Sequence, residues 1–227
     1  MTTDQTGLRV AGAWLAGASL LLALALAFHG PLHPDLEVQM RHIGESAPRW
    51  AVVHWTAAAA FSCLTIAAVL VLVSRSRLTS TGKTMSAWAV VLVGALWTLT
   101  TAITEVTVIA DLAASRDLAQ FKAWWSFAEG HGNGFSMLAV AVAVIAWNEY
   151  RSPHPVLPKW SAGIGAGAGL ASFAGWALGV WLDVGPANLL WLLASGVMCV
   201  WLAWLGTVLA RTRDLNGAGP ETDPGEA

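Results

Sequence analysis

Apolar residues in this chain fall in long runs. The runs cover about 8–28, 51–73, 87–110, 125–147, 161–182 and 187–210. Each approaches the roughly 20 residues that a helix needs to cross a hydrocarbon core about 30 Å thick. Backbone N–H and C=O groups find no water there, so a helix, which pairs them internally, is the form such runs adopt. The expected fold is therefore all-α: a polytopic bundle of six transmembrane helices forming one membrane domain over 1–210. The first run opens with Arg9 and contains LAGASLLLALALA. It is longer than the 7 to 15 apolar residues of a cleaved signal peptide, and further runs come after it, so it reads as a retained helix.

The segments between runs carry their own patterns. In HGPLHPDLEVQMRHIGES two prolines mark a turn, after which Leu36, Met40 and Ile43 recur at helical spacing, as in a short amphipathic helix on the outer surface. SRDLAQFKAWW reads as an interfacial helix leading into the fourth run. In the fifth run Gly163, Gly167, Gly175 and Gly179 are spaced by four or multiples of four, which predicts close helix contact and a surface for a homo-oligomer or a membrane-protein partner. The polar tail over 211–227, RTRDLNGAGPETDPGEA, is expected to be disordered.

Charge sets the orientation. Arg9, Arg75, Arg77, Lys83, Arg151, Lys159, Arg211 and Arg213 fall on one side of the six-span arrangement; only Arg41, Arg49, Arg116 and Lys122 fall on the other. The positive-inside rule then places both termini and the tail in the cytoplasm, in a multi-pass protein of the cell membrane. Trp50, Trp124, Trp125, Trp147, Trp160, Trp181 and Trp191 sit at predicted span ends, as an interfacial belt requires. Composition agrees, with 56% hydrophobic and 11% charged residues. A net charge of -2 without a long basic run excludes nucleic acid as a partner, leaving the lipid bilayer. Cys63 and Cys199 lie inside apolar runs and form no CxxC motif.

Polar residues within the spans carry the functional content. His29, His33, His42, His54 and His131, with Glu105, Glu129 and Asp183, fall on the outer side, and only His154 lies on the cytoplasmic side. His54, Glu105, Glu129 and His131 come out about 6 to 9 Å below the outer interface at the helical rise. Thr98, Thr101 and Glu105 share one helix face; His54, Ser62 and Thr65 share another. On the fourth run Glu129, Asn133 and Ser136 align, and the glycines of EGHGNG leave room for His131 to turn inward too.

Ionisable groups at membrane depth are costly unless they pair or line a cavity, so this layer is the candidate site. Imidazole and carboxylate together suit Zn, Fe or Cu, and His54, Glu105, Glu129 and His131 are the candidate metal ligands, with His33, His42 and Asp183 as lid or outer ligands. No HExxH-type signature accompanies them. Three other readings stand beside the metal ion. One is a b-type haem held by His54 and His131; another is proton-coupled transport or sensing through Glu105 or Glu129. In the third, a structural membrane subunit, the polar groups only satisfy one another and fix helix register.

Overall fold

The computed structural model describes residues 3–74, 76–130 and 134–211, the side chains of 3–5, 129 and 130 excepted. All regular structure among the described residues is helical: α1 (Thr3–His29), α2 (Leu36–Glu45), α3 (Ala47–Val73), α4 (Gly82–Thr104), α5 (Ala110–Ser115), α6 (Leu118–Trp125), α7 (Gly134–Arg151), α8 (Lys159–Trp176) and α9 (Gly185–Arg211). Three π-helical turns, which bond i to i+5, interrupt or extend them: Glu105–Ile109 joins α4 to α5, Ser126–Gly130 continues α6, and Ala177–Trp181 continues α8.

Among the described residues, five helical stretches are long and apolar enough to cross a membrane: Thr6–His29, Ala47–Val73, Gly82–Ser115, Lys159–Trp181 and Gly185–Arg211. The protein is thus a multi-pass integral membrane protein. Its outward surface agrees, since Leu20, Leu24, Val52, Leu170, Leu193 and Val200 are all more than half exposed. Apolar surface on that scale needs a lipid or protein cover. The predicted span over 125–147 divides into α6 with its π turn and then α7, which ends in the polar residues Asn148, Glu149, Tyr150 and Arg151. Residues 131–133 between the two pieces, and the tail beyond Arg211, lie outside the described residues.

Packing runs in chain order around a closed ring: α1 against α3, α3 against α4, α4 against α7, α7 against α8, α8 against α9, and α9 back onto α1. The closure is a backbone contact. A Cβ on Gly12 would lie 2.7 Å from the Gly206 carbonyl oxygen, and one on Gly206 would lie 2.5 Å from the Ala16 nitrogen. Only hydrogen fits at either position. Arg9, near the start of α1, donates from Nε to the Ala210 carbonyl at 3.2 Å, so the start of α1 and the end of α9 share one end of the bundle. At that same end Glu149 accepts from Arg77 at 3.2 Å and from the Val156 N–H at 2.7 Å, pinning the α3–α4 and α7–α8 connections together.

Several expectations change in detail. On α8 and the π turn that continues it, the tight contacts belong to Gly165 against the Trp201 ring, Gly169 against the Ala139 carbonyl, Gly175 against the Trp191 backbone and Gly179 against Asn188. Gly163 has no neighbour nearer than the Tyr150 ring at 3.8 Å, and Gly167 has none within 4 Å. The alternating glycines of GIGAGAG offer two stripes at the same spacing, and there the neighbouring helices select Gly165 and Gly169, while Gly175 and Gly179 make the close contacts expected of them. The α2 helix is amphipathic as expected, but its buried Met40 and Ile43 pack with Ile109, Ala113, Phe121 and Trp125 rather than lying on lipid. Trp50, Trp125 and Trp191 are buried, leaving Trp124, Trp147, Trp160 and Trp181 as the exposed belt residues.

Candidate functional site: a two-histidine cavity

At the end of the bundle away from the termini, a cavity of about 70 Å³ opens inside the ring, lined among others by His29, His54, Thr98, Thr101, Trp176 and Trp191. His29 is the last residue of α1, directly before Gly30, whose φ of +76° turns the chain away. His54 lies two turns into α3 and is buried. The two rings are 5.2 Å apart between centroids.

Both imidazoles are oriented by the main chain. His54 Nδ1 lies 2.9 Å from the Trp50 carbonyl oxygen, and His29 Nδ1 lies 2.7 Å from the Gly30 carbonyl oxygen. A carbonyl only accepts, so Nδ1 carries a proton in each ring, and in the neutral form of that tautomer Nε2 keeps its lone pair. Indoles surround the pair. Trp50 lies tilted at 4.3 Å from His54 and 5.2 Å from His29, while Trp191 meets His29 edge-on at 6.0 Å and Trp176 at 5.2 Å. The Nε1–H groups of Trp176 and Trp191 are buried and find no acceptor among the described residues. Two imidazole rings and two unpartnered indole donors around one small cavity suit a polar guest.

The backbone is irregular at this level. Ala102 lines the cavity just before the Glu105–Ile109 π turn, Ala128 lines it from within the Ser126–Gly130 π turn, and Trp176 lines it just before the Ala177–Trp181 π turn. A π turn inserts an extra residue and rotates the side chains beyond it, a distortion found often at functional sites. Three such turns border the cavity.

Of the residues expected at the site, His54 lines the cavity, as do Thr98 and Thr101 of the α4 stripe. Glu105 continues that stripe and is fully buried. Ser62 departs from the expected inward face: it is exposed, and its hydroxyl donates to the Ala58 carbonyl at 2.9 Å, so its own helix satisfies it. Glu129, in its side chain, and His131 entirely, lie outside the described residues. Among the described residues no three of His, Cys, Asp and Glu come together as a cage for a metal ion.

The outer candidates gather elsewhere. His33 and His42 meet edge-on with centroids 6.0 Å apart, beside α2 and not at the cavity. His33 Nδ1 accepts the Asp35 N–H at 3.0 Å, and its own N–H donates to Gln39 Oε1 at 2.8 Å. Asp183 is an exposed residue between the last π turn and α9, with φ of 53°. His29 is the residue that sequence reasoning left on the outer surface. Its signal was its place as the final residue of an apolar run before Gly-Pro, where a helix end can fold a side chain back over the bundle.

Comparison with protein-family models, curated proteins and solved structures gives no match to this chain.

Proposed function

We propose that this protein crosses the cell membrane six times with both termini cytoplasmic, and that its two-histidine cavity holds a transition-metal ion near the outer surface. The observation that carries the reading is the matched pair: His29 and His54 line one cavity, each with Nδ1–H committed to a backbone carbonyl. Metal-bound histidines characteristically donate their second nitrogen in this way, which fixes the tautomer and the ring direction. Nε2 of each is then the ligand atom. Glu105 adds a buried carboxyl group one turn beyond Thr101. Glu129 and His131 are the proposed further donors, because Ala128 and Gly134, on either side of their segment, both line the cavity.

Size favours this reading over the haem reading. A cavity of about 70 Å³ suits an ion with one or two waters, whereas pockets for drug-sized ligands occupy about 300–1,000 Å³. Zn, Cu and Fe all accept imidazole, and the indole donors of Trp176 and Trp191 suit an oxygen ligand such as metal-bound water.

The test is elemental analysis with an optical spectrum of detergent-purified protein, as isolated and after reconstitution with each of the three ions. Wild type should carry close to one equivalent of one ion without a Soret band. A His29→Leu/His54→Leu double variant should lose it, and Glu105→Gln should retain less, with all proteins still inserted and helical. A Soret band would replace the ion with haem, and a wild type that retains no metal after every reconstitution would sink the reading.

A further inference from the structure

On the lipid-facing side of the ring, α1 and α3 part to leave an open groove of about 450 Å³. Leu24 and Phe28 of α1 and Val52 of α3 form its sides, all exposed and all apolar. Arg49 lines the same groove, one turn before Val53, and is its single charged residue. Its guanidinium has one long contact among the described residues, 3.5 Å from Nη2 to Ser46 Oγ, outside the usual hydrogen-bond range. Most of its five donors are therefore available to an acceptor.

A cation at one end of an otherwise apolar, membrane-exposed groove is complementary to an acidic amphiphile. We propose that this groove binds one acidic phospholipid, its phosphate on the Arg49 guanidinium and one acyl chain along Leu24, Phe28 and Val52. The planar guanidinium matches phosphate oxygens in bidentate fashion, which a zwitterionic headgroup with its own cation offsets. A second transmembrane helix is the poorer fit, because helix association favours small residues on both sides, and these walls are large.

The position of the groove gives the lipid a consequence. Ala25 and Val53 line both the groove and the two-histidine cavity, so two side chains are the partition between them. The bound acyl chain rests against that partition. The lipid assignment stands on the groove alone and does not depend on what the cavity holds.

Native mass spectrometry of the full chain, delipidated and then offered phosphatidylglycerol or phosphatidylcholine with identical chains, tests the proposal. One phosphatidylglycerol should bind about fivefold more tightly than phosphatidylcholine, the preference expected of one interfacial arginine. Arg49→Gln should erase the preference while leaving residual binding of both lipids. Val52→Trp, which fills the groove and keeps the charge, should weaken both. Equal binding of the two lipids by wild type, or a preference that survives Arg49→Gln, would overturn the proposal. So would a dimer that excludes lipid and is broken by Val52→Trp, since the groove would then belong to a second copy of the chain.

Discussion

Single residues here do work that their chemistry makes legible, provided their neighbours are known. Asp35 caps α2, accepting the Glu37 N–H at 2.8 Å and the Val38 N–H at 3.2 Å. Those bonds, Val38's foremost and then Glu37's, hold its carboxyl below the ordinary aspartate value. The folded value is thus depressed relative to the unfolded one, so the cap contributes fully above the unfolded value of about 3.9 and is lost as pH falls through the folded value. Hydrogen exchange, corrected for intrinsic rates, should show α2 protection constant between pH 7 and 5 and declining in more acidic buffer. Asp35→Ala should lower protection severalfold already at pH 7 while leaving α3 unchanged; α2 as protected as in wild type would refute the cap's contribution. His54 was readable as a site residue because a histidine in an apolar run has few cheap alternatives. His29 was not, because it stands where a run ends, and only the turn at Gly30 decides whether its ring meets water or the cavity.

At the scale of elements, hydropathy located the immersed part of each helix but not its ends. The helix expected from 87 begins at Gly82, since Thr81 and Thr84 form a capping box in the polar segment ahead of the apolar run. The three π turns were invisible to composition, because an extra residue in a helix changes the register without changing the polarity of the run. Which glycines meet a neighbouring backbone was equally undetermined by spacing alone, and substitution measures the difference. Gly206→Leu drives a side chain into the α1 backbone at Ala16 and should destabilise the protein by about 3 kcal/mol or more, beyond ordinary overpacking. Gly167→Leu meets nothing within 4 Å and should be neutral or slightly stabilising in a helix. Thermal unfolding of the two variants in one detergent decides the matter, and equal midpoints would mean that α1 and α9 do not close as described.

For the whole molecule, the apolar runs were sufficient to read a helical membrane bundle, and the closed ring results from short connections that make consecutive helices antiparallel neighbours. The sidedness is the part that packing alone leaves to experiment. A reporter fused after Arg213 should be cytoplasmic, and a tag inserted between Arg116 and Gln120 should react with impermeant reagent from outside intact cells. A C-terminus accessible from outside would reverse the assignment. Ring closure by α9 on α1 also bears on biosynthesis. The ribosome delivers α1 first among these helices and its partner α9 last, so α1 enters the bilayer with its Gly12 stripe facing lipid or an insertion chaperone. Trp191, which completes the wall around His29, arrives on that last helix. Until the final span is inserted, the nascent chain holds its histidines in an unfinished vessel, so any guest of the cavity would enter the mature protein rather than the growing one.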